Sequence, residues 1–196
     1  MARATTTQSG KHMRVIAGTA KGHRLKSPTA GTRPMADRMK EALFSALGET
    51  DGFRVLDLYA GSGSLGIEAL SRGAVSAIFV ETARDAIVKL EGNVEATGFE
   101  DRSEIAWNDA RSTLKRAPDE RMDLIFVDPP YSMSASDVRT DLELIVMEGW
   151  LADNGRVVLQ RPGKETRLAP LGLEVCWERD YGQSALYIFC HEEEES

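Results

Sequence analysis

Two stretches of the chain combine residue types that could do chemistry. The first is Asp128-Pro129-Pro130-Tyr131, which follows the apolar run Leu124 to Val127. Consecutive prolines cannot donate ladder hydrogen bonds, so a strand must end there. They also fix φ, which holds the Asp carboxylate, the neighbouring carbonyls and the Tyr ring in a stiff turn. Such a turn suits a planar substrate carrying an amino group. Asp128 and a carbonyl near Pro129 would accept its N–H bonds, and Tyr131 would stack on the ring to orient it. We therefore take Asp128, Pro129, Pro130 and Tyr131 as the candidate catalytic group.

The second stretch is Asp57-Leu-Tyr-Ala-Gly61-Ser-Gly63-Ser-Leu-Gly66. GxGxxG after a strand and before a helix is by itself a weak dinucleotide signal. Asp57 argues against a dinucleotide, because a carboxylate close to a pyrophosphate would repel it, whereas a sulfonium and an ammonium would be attracted. Glu81 falls 20 residues after Gly61, at the end of the next strand, where it could accept from two ribose hydroxyls. Asn108 and Asp109, ending a third strand, could read an adenine. Together these describe S-adenosylmethionine. We assign to it Asp57, Tyr59, Ala60, Gly61, Ser62, Gly63, Leu65, Glu81, Asn108, Asp109 and the shared Asp128.

The elements that must hold these groups alternate in type. The pattern predicts a small basic hairpin (strands near 14–17 and 22–26), a loop punctuated by Pro28, Gly31 and Pro34, and a helix over 35–47. Arg33, Arg38 and Lys40 are expected on or near the exposed side of that helix. Strands follow at 54–59, 77–80, 104–107, 124–127 and 156–160, with helices near 64–72, 84–97, 110–115 and 137–148. A closing hairpin at 173–177 and 186–190 turns at Tyr181-Gly182-Gln183. This is an α/β, doubly wound, mostly parallel seven-stranded sheet with a basic N-terminal extension. Its parts are expected to be a tail at 1–12, the hairpin and loop at 13–34, a catalytic domain at 35–190 and an acidic tail at 191–196. The start, MARATTTQSGKHM, reads as a disordered native tail or a remnant of cloning, with Met13 then the natural start.

Hydrophobic content of 42% and charged content of 28% are those of an ordinary globular chain. No apolar run reaches the roughly 20 residues that span a bilayer, and the start lacks the apolar core of a signal peptide. The expected location is the cytoplasm. Cys176 and Cys190 are accordingly expected as reduced core thiols. Three scattered histidines form no ligand cluster, and no metal site is expected. The net charge of −7 hides an asymmetry: residues 1–40 hold nine Lys/Arg against Asp37 alone. A basic arm on an acidic body could steer toward phosphates.

With both motifs placed, the chain resembles the class I S-adenosylmethionine-dependent amino-methyltransferases, whose motif is [D/N/S]-P-P-[Y/F/W]. RVIAGTAKGHRLKSP, GTRPMADRMKEALFSAL, VLDLYAGSGSLGIEALSRGA and DYGQSALYIF narrow this to a resemblance to the RsmD family, running from Met13 to about Cys190. The chain departs from it at Met35-Ala36, where the family usually has Thr and a polar residue. The resemblance implies methylation of one guanine N2 in 16S rRNA, within the 30S subunit or an assembly intermediate; we expect a monomer. Arg14, Lys21, Arg24, Lys26, Arg33 and Arg38 are then expected to touch rRNA phosphates, which position without specifying sequence. The base would have to be unstacked or in a loop. The rivals are a DNA amino-methyltransferase acting on adenine N6 or cytosine N4, for which the chain lacks an obvious duplex-reading domain, and a non-catalytic RNA-binding or assembly factor.

Overall fold

The computed structural model describes residues 13–27, 35–163, 165 and 167–192. The expected tail at 1–12, Arg33 with its loop, and residues 193–196 of the acidic tail lie outside these. Strands β1 (Met13–Arg14) and β2 (Arg24–Leu25) pair antiparallel as the small hairpin, and α1 (Asp37–Leu47) follows. The main sheet is built from β3 (Arg54–Leu58), β4 (Ser76–Glu81), β5 (Ser103–Trp107), β6 (Met122–Val127), β7 (Leu151–Pro162), β8 (Leu173–Asp180) and β9 (Ser184–His191). Between them run α2 (Ser64–Ser71), α3 (Arg84–Thr97), α4 (Ala110–Leu114) and α5 (Ala135–Met147). The spatial order is β5-β4-β3-β6-β7-β9-β8. The first five are parallel, while β9 runs antiparallel to both β7 and β8.

The period-2 alternation on each strand divides the core into two layers. Val55, Phe79, Phe126 and Val158 face α1, α2 and α3 together with the underside of the hairpin. Leu56, Leu58, Ile125, Val127, Val157 and Leu159 face α4 and α5. Covering both faces is what lets the β6 run be apolar at consecutive positions. The chain winds outward from β3 through β4 to β5, then crosses to β6 on the opposite side of β3. The order therefore reverses between β3 and β6, and their carboxyl ends splay apart into a crevice.

Three expectations need correction. Lys40 is not on an exposed side; it is fully buried. Its Nζ donates to Arg14 O at 2.7 Å and Ser64 Oγ at 3.2 Å, and stands 3.3 Å from Glu68 Oε2. That helix face covers α2 and the hairpin, so it is interior although its sequence reads as mixed. The last three strands also extend well beyond their apolar centres, because hydrogen bonding continues past the buried stretch.

Cys176 and Cys190 are joined in a disulfide, with Cα atoms 6.1 Å apart, and are not free thiols. The β8–β9 register slips between Val175 and Trp177, and this bulge sets Cys176 beside Cys190. An expectation built on compartment and spacing has no access to that register. Among the described residues, no helix is long and apolar enough to cross a membrane.

Candidate active site

The site lies at the reversal of strand order. β3 ends at Leu58, and Tyr59 takes φ 60°, a left-handed conformation that non-glycine residues rarely adopt. Alternation would send Tyr59 to the Asp57 face, yet it packs with the α4/α5 layer. There its hydroxyl donates to the buried Asp141 Oδ2 at 2.5 Å. Arg111 Nε donates to the other oxygen of Asp141 at 2.7 Å, and its Nη1 and Nη2 reach Asp137 Oδ1. This network ties the end of β3 to α4, which follows Asp109, and to α5, which follows the Pro-Pro turn. None of Asp141, Arg111 or Asp137 was singled out by sequence; charges spaced along helices look solvated until their partners are known.

The glycines divide by task. A Cβ on Gly61 would meet nothing within 4 Å, so its left-handed backbone presents open space. A Cβ on Gly63 would come within 2.3 Å of Leu90, and one on Gly66 within 2.3 Å of Phe79. Those two are packing glycines that let α2 sit down on β4 and α3. Asp57 Oδ2 accepts from Gly66 N at 2.9 Å, which anchors the amino end of α2. Glu81 binds the turn itself, one oxygen accepting from Gly61 N and the other from Thr82 N and Ala83 N, each at 2.8 Å. Asp109 caps α4 by accepting from Ser112 N at 2.9 Å. Asn108 Nδ2 donates to Thr113 Oγ1.

A cavity of about 380 Å³ opens between these tips. Of the expected residues, Tyr59, Gly61, Glu81, Asn108, Asp109, Asp128, Pro129, Pro130 and Tyr131 line it. Asp57, Ala60, Ser62, Gly63 and Leu65 do not; they build the turn beneath. Among the basic residues, Lys21, Arg24, Lys26 and Arg38 are exposed, and Arg14 is exposed but paired with Asp37 at 2.8 Å. Lys26 is fastened beside the glycine turn: buried Asn93 accepts from Lys26 N and donates to both Lys26 O and Ser62 O.

The electrostatics of the cavity are one-sided. Glu81, Asp109 and Asp128 line it, with no Lys, Arg or His among its lining residues. Burial raises the Asp57 carboxyl well above its usual range, and the nearby Asp128 and Glu81 push it further in the same direction. Asp128 is pushed up to about 7 by burial alone, with no hydrogen-bond donor to it among the described residues. Such a site fits a sulfonium and an ammonium, and disfavours a pyrophosphate. Tyr131 is fixed at the rim, its hydroxyl 2.6 Å from Ser184 Oγ and 3.4 Å from Gln160 Nε2. Arg161 Nη2 donates to Met133 O at 3.1 Å, which pins the chain just after the Pro-Pro turn.

The family model described as conserved hypothetical protein 95 matches residues 13–190. The ribosomal RNA small subunit methyltransferase D of Escherichia coli K12 is 33% identical over 150 residues, 76% of this chain and 74% of that protein. This chain belongs to the RsmD family. A Bacillus subtilis relative of the family chain, YlbH, carries the name of a candidate rRNA methyltransferase. It is 39% identical over 90% of this chain and 98% of its own length. Among solved structures, YhhF of Escherichia coli, described as a candidate methyltransferase, superposes with a TM-score of 0.81 at 31% identity, covering 92% of this chain and 98% of that one. The RsmD-family sheet is thus the class I methyltransferase sheet, and the cavity lies at its reversal point.

A carboxyl poised near neutrality gives a pH prediction. If Asp128 accepts from an amino group that is methylated, only its ionised form brings the negative charge that would stabilise the nitrogen. Single-turnover methyl transfer should therefore rise with pH and level off above about 7. A profile flat from pH 5.5 to 8.5 would dissociate Asp128 from the chemical step.

Proposed function

We propose that this protein transfers the methyl group of S-adenosylmethionine to the exocyclic N2 of a guanine in 16S rRNA, acting in the cytoplasm on the 30S subunit or an assembly intermediate. The observation carrying this reading is the cavity. Its carboxylates and missing cations suit a cationic cofactor, and it ends at Asp128-Pro129-Pro130-Tyr131. In this account residues 35–190 are the catalytic domain and 13–34 an arm that brings it to RNA.

Gly61 gives the cofactor close backbone approach, Glu81 accepts from its ribose diol, and Asn108 with Asp109 faces its adenine. When bound, the cofactor supplies an electrophilic methyl. The guanine amino lone pair is delocalised into the ring and is a weak nucleophile. Asp128 and a carbonyl of the Pro-Pro turn accept its two N–H bonds, which favours a pyramidal nitrogen whose lone pair points at the methyl. Positive charge then grows on nitrogen in a poorly solvated site, where the carboxylate stabilises it and takes the proton that the methylated nitrogen must lose. Tyr131, held by its hydroxyl, restricts the plane of the base.

The names of the relatives and the family resemblance support small-subunit rRNA as the acceptor over duplex DNA. The deciding experiment offers labelled S-adenosylmethionine with 30S subunits lacking native modification, with naked rRNA or with duplex DNA. We expect label in the 30S sample and N2-methylguanosine on nucleoside analysis. Label in adenine or cytosine of the duplex would replace this function with its DNA rival.

The exposed basic residues of the arm and of α1 yield a separate prediction. Changing Lys21, Arg24, Lys26 and Arg38 to Ala should remove about four phosphate contacts and flatten the salt dependence of 30S binding by roughly three units of log–log slope. Cofactor affinity should stay within about threefold, since none of these side chains lines the cavity. An unchanged salt slope would show that these residues do not touch the backbone.

A further inference from the structure

One polar group in the cavity wall has no partner. Gln160 lies near the carboxyl end of β7 and lines the cavity, yet it is only 4% exposed. Its Nε2 donates to the Tyr131 hydroxyl, which in turn meets Ser184 Oγ. With the phenol proton directed at Ser184, the phenol oxygen accepts, and this points the amide carbonyl the other way. That carbonyl, Oε1, is closed off from solvent and accepts from nothing among the described residues. A buried amide oxygen in this state costs about 1–3 kcal/mol, a cost that a bound donor would relieve.

Strand register shows what could relieve it. Val127 is paired with Leu159 across the parallel β6 and β7. Asp128 and Gln160 are the next residues on each, so they fall on the same face of adjacent strand tips, about 5 Å apart at the backbone. Both residues line one cavity, and a turn of the Gln160 amide about its terminal torsion would bring Oε1 to the cavity surface. The Watson–Crick edge of guanine carries two donors side by side, the 2-amino group and N1–H, followed by the O6 acceptor.

We infer that Gln160 Oε1 accepts the N1–H of the target guanine while Asp128 takes its 2-amino group, making Gln160 the residue that reads the base. This rests on the guanine-N2 function proposed above and adds the origin of its selectivity. An amine alone is then not enough for a good substrate. 2,6-Diaminopurine carries the same 2-amino group beside an N1 lone pair, which would face the Gln160 carbonyl oxygen with no proton between them. The wild-type site should reject it.

The test uses the full-length protein and 30S particles reconstituted from ligated rRNA. Wild-type enzyme first marks the target nucleotide on unmodified particles. Guanosine or 2,6-diaminopurine riboside is then placed at that position, and kcat/KM is measured for wild type, Gln160→Met and Gln160→Glu. Wild type should prefer guanine on the order of 100-fold, as expected when a buried polar group is left unpaired by the analogue. Gln160→Met should lose most of that preference through a slower guanine reaction and a diaminopurine rate no lower than that of wild type, with cofactor affinity nearly unchanged. Gln160→Glu keeps an acceptor and should keep the preference.

Equal losses on both bases in Gln160→Met would leave Gln160 a packing residue and overturn the inference, as would a wild type indifferent to the two bases. Should the Met variant fail to fold, the wild-type ratio and the Glu variant still decide. If wild type makes no N2-methylguanosine on the first particles, the guanine function itself fails, and the nucleoside analysis separates that result from failure of base reading.

Discussion

Asp128→Ala should abolish methyl transfer, with a loss on the order of 1000-fold or more in single turnover, while S-adenosylmethionine binds within about threefold of wild type. The asymmetry follows from the site. Asp128 has no hydrogen-bond donor among the described residues and stands at the end of the cavity marked by the Pro-Pro turn, away from the Glu81 and Asp109 strand tips that would hold the cofactor. Its ionised form is therefore kept for the substrate. Asp128→Asn keeps an acceptor oxygen but no charge, so it should retain some turnover and lose the pH dependence.

The same group has an opposite effect on stability. A carboxyl whose folded value lies near 7, above its unfolded 3.8, is harder to ionise in the native state. The native state holds its proton more tightly, so the resulting stabilisation is full below about pH 4 and is lost as pH rises through 7. Above that, wild type carries the cost of an anion in a half-buried site. Asp128→Asn should then be more stable than wild type at pH 8 by about 1–2 kcal/mol, allowing for solvent screening at a partly open site. That gain should shrink toward zero by pH 4. Chemical denaturation at the two pH values measures both numbers. Turnover retained in the Ala variant would remove Asp128 from the mechanism, whatever the stability data show.

The second large effect is expected far from the cavity. Glu68 is completely buried and accepts from Ile16 N at 2.7 Å, Ala17 N at 3.0 Å and Arg72 Nε at 2.8 Å, with Lys40 alongside. The basic hairpin is thus fastened to α2 through this carboxylate and, one turn on, through Ser71, whose Oγ accepts from Ala20 N and donates to Ala17 O. Glu68→Ala would leave two amides without their acceptor and the buried Lys40 ammonium without its counter-charge, costing about 3–5 kcal/mol. In a chain of this size that is roughly a 10 °C fall in the thermal midpoint. Glu68→Gln preserves an acceptor and should lose less than half as much. Hydrogen exchange at Ile16 and Ala17 should accelerate selectively in the Ala variant. Uniform acceleration would mean the carboxylate supports the whole core and not the arm in particular.

These two residues mark where the sequence was informative. Asp128 and the glycine turn were legible because their neighbours restrict the backbone: prolines end a strand, and glycines admit close approach. From two such landmarks the order of strands and helices followed, and with it the meeting of Gly61, Glu81, Asp109 and Asp128 in one cavity. Glu68 and Lys40 were not legible. They lie 28 positions apart on helices that look amphipathic, and only the packing of α1 across α2 turns them into an interior pair. Gln160 was hidden for a related reason. Within an apolar strand it resembles the polar end of the run, and its free carbonyl appears only once Tyr131 has taken the other end of the amide. The disulfide depended on a one-residue slip in β8, a feature that no count of cysteines contains.

That slip has a bearing on how copies of the protein treat one another. β8 is the outermost strand on its side, and an open strand edge is ordinarily a template on which a neighbour's backbone can continue the sheet. Here the template is kinked at Cys176 and crowded with Glu174, Glu178, Arg179 and Asp180. We therefore expect molecules colliding rim to rim to separate without zipping together, even at the concentrations used for reconstitution.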